Sequence, residues 1–426
     1  MLDIKMIREK PSEVRKNLER RHDPSILARL DEAIKADAER RDVIKQVETL
    51  KKKRNEITKE VSSLKAKGND AKKELKDAGE VAAKISKLDI EQAKLDEKTK
   101  LLLMVIPNLL HESVPEGKDD TDNAVVKTAG GTLGFTFKPK NHLEIALALG
   151  LIDEERASKV SGTGFFYLKE ELAILDMAIV RYTIDFLRKR GLKLIEPPFM
   201  MRKKAYEGVV SLEDFENVMY KIEDEDLYMI ATSEHPIGAM LGDEIVLEKD
   251  LPMKFVGVSP CFRKEIGAHG KYTKGIFRVH QFNKVEQFVF SRPEDSWKLH
   301  EELQKNSEEL LGSLGIKFRV VNVCTGDIGS IAAKKYDIEF LMADGNYREI
   351  GSNSNCTDYQ ARRLGIRYKE KEGMAVKGFV HTLNNTAAAT SRVMVAILEQ
   401  FQQADGSVAI PAVLQPYCGF AEMKRK

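Results

Sequence analysis

The sequence predicts an α+β chain: a long antiparallel helical hairpin at the N-terminus, followed by a mixed α/β domain. Two observations carry this. From about Pro24 to Met104 there is no aromatic residue, almost no glycine or proline, and an apolar residue every three or four positions. From about Leu133 the pattern changes to helical runs alternating with short apolar stretches punctuated by glycine and proline. The boundary falls near residue 112, giving an N-terminal unit of residues 1–112 and a larger one of 113–426.

With 426 residues the chain can bury a substantial core. Its 69 basic and 67 acidic side chains nearly cancel, so the net charge of +2 identifies no partner; a basic surface can hide inside a neutral total. Cys261, Cys324, Cys356 and Cys418 lie far apart and form no CxxC pair, which fits a reducing cytoplasm and no structural zinc. No apolar run is long enough to span a bilayer, and the N-terminus lacks the apolar core of a signal peptide. A cytoplasmic protein is expected.

Taken in order, Pro11-Ser12 starts a short helix. The hairpin follows. Its seams are expected at Leu50, Ile57, Val61 and Leu64 on the outgoing helix, and at Leu75, Ala82, Ile85, Leu88, Leu95 and Leu102 on the return. Lys67-Gly68-Asn69-Asp70 supplies the turn. Helices of around forty residues would reach roughly 60 Å, so the pair should project as an arm. Lys51-Lys52-Lys53-Arg54, Lys72-Lys73 and Lys76 make it basic. Such charges can form flanking salt bridges or meet a phosphate backbone. His111 to Thr132, rich in Gly, Asp and Pro, reads as a loop or surface segment. Leu143–Leu149 and Leu172–Arg190 have helical spacing, and Gly191 stops the second.

The most informative stretch is Val256 to Phe290. It reads as two strands around a mobile cationic loop containing Gly267, Gly270, Lys271, Lys274 and Gly275. The second strand is expected to begin near Phe277. Alternation places Arg263 with Glu265 on one face, and Arg278, His280, Phe282, Lys284 and Glu286 together on one face of the second strand. A polar sheet face with an ion-pair ladder would explain this. So would a nucleotide site, because arginine forks onto phosphate or carboxylate and an aromatic ring offers a face for a base.

The order of residues favours the second reading. Phe-Arg-x-Glu, a basic loop, then Phe-Arg-Val-His-Gln-Phe-x-Lys-Val-Glu closely resembles motif 2 of class II aminoacyl-tRNA synthetases, specifically the seryl family. Gly191 to Pro198 resembles motif 1, which forms the dimer interface in that class. Val380 to Arg392, leading into a helix, resembles motif 3. The wording of Thr232-Ser233-Glu234-His235-Pro236 and of the alanine run 387–389 is similar to archaeal members.

The resemblance implies a helical arm on a class II catalytic domain, mostly antiparallel sheet flanked by helices, acting as a homodimer. It implies serine–tRNA ligase chemistry, with ATP and serine as substrates, tRNA(Ser) as acceptor and tRNA(Sec) as a further candidate. Carried over position by position, Arg263 would bridge the serine carboxylate and the α-phosphate. Glu265 would accept from the adenine amine, Phe282 would stack on the ring, and Arg278 and Arg392 would bind the outer phosphates. Thr232 and Glu234 would hold the serine amine, and Glu286, Asn384 and Thr386 its hydroxyl. Glu349 and Ser352 would hold Mg²⁺, whose preference is for hard oxygen ligands.

Two departures stand out. Residues three apart face opposite sides of a regular strand, so a joint role for Glu349 and Ser352 predicts a bulge at Gly351. The motif 3 turn usually carries glycines; here Asn385 is expected to take the left-handed conformation for one of them. His235 reads as structural. Two other classes fit less well: a ligase loading a carrier protein, whose relatives lack a long arm, and a non-catalytic RNA-binding paralogue, which would have lost the arginines and metal ligands.

Overall fold

The computed structural model describes residues 1–131, 133–211, 218–265 and 275–425. It divides into two compact units, Met1–Pro107 and Asn108–Lys426.

The first unit is entirely helical: α1 (Ile4–Glu9), α2 (Pro11–Glu19), α3 (Pro24–Ala66) and α4 (Lys72–Val105). Asp23 caps α3 through its bond to the Ser25 amide, with Pro24 in the first turn, where its missing N–H costs nothing. At 43 residues α3 is about 65 Å long. Gly68 takes the left-handed turn (φ 73°) before α4. Towards the turn the seam consists of Ile57, Val81 and Ile85, flanked by Leu50, Val61 and Ala78. The return helix thus uses the 78-81-85 row in place of the expected Leu75 and Ala82; Leu75 is 48% exposed. Farther down, Arg40 pairs with Asp96 across the helices, and buried Asp37 receives Arg41 at 3.1 Å and Arg8 at 3.2 Å. Lys51 to Arg54 are all exposed.

The second unit is built on an eight-stranded sheet. In chain order its strands are β1 (Ala124–Ala129), β2 (Lys193–Ile195), β3 (Met253–Phe262), β4 (Gln281–Ser291), β5 (Phe318–Asn322), β6 (Lys334–Leu341), β7 (Tyr347–Asn355) and β8 (His381–Ala389). Their spatial order is β1-β5-β6-β7-β8-β4-β3-β2. Every pair is antiparallel except β2 with β3. The segment expected to be a loop or surface segment therefore contains an exposed edge strand. Ala124–Ala129 pairs with β5 on one side only and stays mostly exposed, so it carries no apolar alternation to announce it.

Helices α5 (Glu170–Arg188), α7 (Ser296–Ser313) and α8 (Thr390–Gln400) flank the sheet, and a short helix α6 (Glu234–Ala239) lies near its middle strands. Gly191 takes φ 85° just after α5. Leu172, Leu175 and Ile179 of α5 join Val393, Met394 and Ile397 of α8 and Ile338 and Phe340 of β6 in the largest core. A second core gathers Tyr206, Ile237, Phe288, Phe290 and Leu364. On β4 the alternation is plain: Gln287 bonds to Ser307 and the Leu303 carbonyl of α7, whereas its neighbour Glu286 turns to the other face.

The second strand of the informative stretch starts at Gln281, not near Phe277; Phe277 to His280 form bends and turns. Arg278 therefore reaches the site from a turn rather than from strand alternation. Gly267, Gly270, Lys271 and Lys274 lie outside the described residues.

Candidate active site

Phe282, Lys284 and Glu286 project from one face of β4, between the end of β3 and the bulged stretches of β7 and β8. A cleft of about 670 Å³ opens over them, lined by Thr232, Glu234, Arg263, Glu265, Arg278, Lys284, Glu349, Ser352, Asn384 and Thr386 among others. A smaller adjoining cavity shares Arg263, Glu265, Arg278 and Glu349 and adds Phe277, Phe282, Ser391 and Arg392. Of the residues assigned to the substrates or the metal from the sequence, Glu286 alone lines neither. It sits behind the wall, 1% exposed, joined to it by Lys284 at 2.7 Å and by the Thr386 hydroxyl, which donates to Glu286 Oε2 at 3.2 Å.

Arg263 follows β3 directly. Its amide donates to the His280 carbonyl at 3.0 Å, its Nε donates to the Ala231 carbonyl at 3.3 Å, and its guanidinium lies 5.2 Å from the Phe282 ring centroid. The arginine is thus anchored by one edge and stacked on one face while lining both cavities. Glu265 has φ 47° and accepts from Arg278 Nε at 2.6 Å. Arg392, near the start of α8, donates to both the carbonyl and Oε1 of Glu349 at 3.0 Å and lies 5.2 Å from the Phe277 ring. Two of the three arginines are therefore held by carboxylates that a polyanion can displace.

The bulge falls one residue before its expected place. Ile338 faces Gly351 while the adjacent Glu339 faces Glu349, so Ile350 is the extra residue on β7. Glu349 and Ser352 are thereby brought to one face, Ser352 Oγ donating to Glu349 Oε1 at 3.4 Å. Gly351 has a different reason to be glycine: a Cβ there would stand 2.9 Å from the Thr386 carbonyl oxygen. A matching bulge occurs on β8, where Thr386 faces Glu286 and Ala388 faces Val285, leaving Ala387 extra. The glycine-free stretch thus runs as a bulged strand directly into α8. Asn385 does not take the left-handed conformation expected of it; it lies in the ladder opposite Gln287 and Asn353, its side-chain Oδ1 accepting from the Ser307 hydroxyl at 2.6 Å.

Just ahead of α6, Thr232 Oγ1 accepts from the Glu234 amide at 3.2 Å. Asn384 Nδ2 donates to Cys356 Sγ at 3.8 Å. Burial raises the Glu234 carboxyl well above the usual carboxylate range, and nearby Glu286 adds to this against the pull of Lys284 and Arg263. Burial also raises Glu286, with Lys284 the strongest opposing influence. Burial holds His235 neutral; its ring stands edge-on to Tyr206 at 5.2 Å, in keeping with a structural role.

Glu349 is 45% exposed because it faces the open cleft. The protein packed around the cleft works to raise the Glu349 carboxyl, but Arg392, Lys335 and Arg263 together hold it below the ordinary range. Behind it lie Asp337, raised by burial, and Lys335, 3.6 Å away. Asp337 is paired across the ladder with Ser352. Sequence reasoning missed both β6 residues, although the alternation Lys335-x-Asp337-x-Glu339 marks a charged strand face. It also gave Lys284 no role. The oxygens of Glu349 and Ser352, with Asp337 Oδ1 buried and unpartnered behind them, form a hard donor set that suits a small divalent cation.

Residues 1–110 match the model of the seryl-tRNA synthetase N-terminal domain, and residues 219–401 that of the class II tRNA synthetase core domain (G, H, P, S and T). The chain is 52% identical over 418 residues to a serine–tRNA ligase of Methanospirillum hungatei, covering 98% of each chain. It is 47% identical to one from Pyrococcus horikoshii, covering 99% of this chain and 97% of the other. The crystal structure of seryl-tRNA synthetase from P. horikoshii complexed with ATP superimposes with a TM-score of 0.96 at 47% identity and full coverage of both chains. The cytoplasmic serine–tRNA ligase of Naegleria fowleri in complex with AMP does so with a TM-score of 0.90 at 34% identity, covering 100% of this chain and 99% of the other. Full-length likeness at such identity, over a fold that gathers Arg263, Arg278 and Arg392 with Glu265 and Glu349, leads to one conclusion: this chain belongs to the seryl-tRNA synthetase family of class II aminoacyl-tRNA synthetases.

Proposed function

We propose that this protein is a serine–tRNA ligase that joins serine to ATP as seryl-adenylate and then moves the seryl group to the 3′ end of tRNA(Ser), with tRNA(Sec) as a further candidate acceptor. The observation that carries this reading is the position of Arg263: anchored at one edge, stacked on Phe282, and set between the Glu234 side of the cleft and the arginines Arg278 and Arg392.

A serine oxygen attacks the α-phosphorus, the new P–O bond forms, and pyrophosphate leaves. Arg263 bridges both reactants and meets charge as it develops. Phe282 stacks on adenine and Glu265 accepts from its amine. Arg278 and Arg392 exchange their carboxylate partners for the outer phosphates. Thr232 and Glu234 take the serine ammonium; Asn384, Thr386 and Glu286 take its hydroxyl. When bound with ATP at Glu349 and Ser352, Mg²⁺ would offset phosphate charge. The serine carboxylate attacks already ionised and needs no general base, so the rate of this step comes from positioning and electrostatics.

The basic arm contacts the tRNA, a role supported by the exposed run Lys51–Arg54. The functional unit is a homodimer. In support, α5 and β2 expose large apolar side chains: Ile174 (43%), Met177 (71%) and Leu194 (48%). Among the described residues no helix is long and apolar enough to cross a membrane; a cytoplasmic location is part of the proposal and is supported by the family reading.

Charging of tRNA(Ser) with labelled serine, in the presence of ATP and Mg²⁺, tests the reading. Serine- and ATP-dependent acid-precipitable label is the expected result. Its absence from a folded preparation sinks the proposal.

A further inference from the structure

One buried cation lining the cleft, Lys284, has no part in the two-step chemistry. Lys284 is 6% exposed, its ammonium 2.7 Å from Glu286 Oε2 and 3.5 Å from the Thr386 hydroxyl. Glu234, Arg263 and Lys284 line the pocket, and Glu286 stands directly behind Lys284, so two carboxylates and two cations meet there. An amino acid enters as a zwitterion. Its carboxylate takes Arg263 and its ammonium takes Glu234. What remains is Glu286, and a bare buried carboxylate would draw a second cation strongly.

We propose that Lys284 sets substrate class in this pocket: by cancelling the charge of Glu286 it makes that carboxylate an acceptor for a neutral hydroxyl and shuts out a second ammonium. Lys284 acts through Glu286 and is a positioning residue, not a catalytic one. This rests on the serine reading of the cleft. A merely structural ion pair would affect stability and total activity without changing which amino acid is preferred.

The test compares serine with 2,3-diaminopropionate, which carries an ammonium in place of the hydroxyl, in ATP–pyrophosphate exchange. Wild type and Lys284→Arg should both prefer serine. In Lys284→Met the serine-to-diaminopropionate ratio of kcat/KM should fall by about tenfold or more, because Glu286 is left uncompensated. In the double variant Lys284→Met/Glu286→Gln no lone charge remains, and the preference for serine should return. Should Lys284→Met fail to fold, Lys284→Gln removes the charge while keeping a donor for Glu286, and the same fall is expected. An unchanged ratio in the folded single variant, or a double variant that still favours the diamine, overturns the proposal. No serine-dependent exchange by wild type would instead sink the functional reading beneath it.

Discussion

Replacing Gly351 by alanine should damage both halves of the site with one methyl group. The backbone at this position permits it, since Gly351 is not among the glycines with positive φ. The obstacle is space: the new Cβ would lie 2.9 Å from the Thr386 carbonyl oxygen and 3.2 Å from Thr386 Cβ. Backbone cannot swing aside as a flexible side chain can, so β7 and β8 must separate by a few tenths of an ångström. Overpacking of this kind costs about 1–3 kcal/mol. On one side of the contact the Ile350 bulge holds Glu349 and Ser352 together; on the other Thr386 holds Glu286. If the strain falls on this geometry, kcat/KM drops roughly 5- to 150-fold. The assay is ATP–pyrophosphate exchange with serine and MgATP varied in turn, beside a thermal melt. KM should rise for both substrates. Gly312→Ala is the control: it sits inside α7 with nothing within 4 Å of the added Cβ and should be neutral or mildly stabilising. Wild-type melting and wild-type KM values in Gly351→Ala would refute the argument that the two bulges lock the site.

Three further outcomes are expected. Glu349→Gln should raise the MgATP concentration needed for half-maximal exchange by about tenfold or more, with little effect on serine KM at saturating MgATP; equal effects on both substrates would count against a metal-side role. Reversing Lys51, Lys52, Lys53 and Arg54 to glutamate should leave exchange unchanged, raise KM for tRNA, and flatten its dependence on salt; unchanged charging would remove this run from the tRNA surface. Burial of His300, whose ring stacks on Tyr336, pushes its pKa down from 6.5 to about 4. The unfolded chain therefore takes up this proton first, and stability is lost as pH falls from about 6.5 towards 4, by at most about 3 kcal/mol. Denaturant melts of wild type and His300→Phe should diverge over this window, the variant showing the shallower acid decline; parallel curves would contradict the assignment.

Much of the architecture was legible because it rests on local periodicity. The arm follows from apolar spacing, its ends from Pro24 and Gly68, and the stop of α5 from Gly191. What the sequence could not place depends on pairing between distant segments. The 78-81-85 seam of α4 is chosen by its partner helix, since 75-82-85 is an equally plausible apolar row. The edge strand Ala124–Ala129 exists because β5 offers it hydrogen bonds. The bulge at Ile350 is a matter of register, visible only once β6 is laid beside β7; sequence could argue that one was needed but put it a residue late. For motif 3, the expectation of a left-handed Asn385 assumed a turn that β8 replaces with a bulged strand, which alanines satisfy at ordinary φ. The residues proposed for the site were chosen through order and motif. Lys335 and Asp337 were missed because they belong to no motif and gain their place only from the ladder with Ser352.

The central claim is that this cleft condenses serine with ATP through Arg263. Serine-dependent ATP–pyrophosphate exchange, run on the intact chain and on Arg263→Ala, tests it most directly. Exchange with serine but not with alanine or threonine, abolished by the substitution, is the predicted result. A well-folded protein with Mg²⁺ that gives no exchange, or an Arg263→Ala variant as active as wild type, would contradict it.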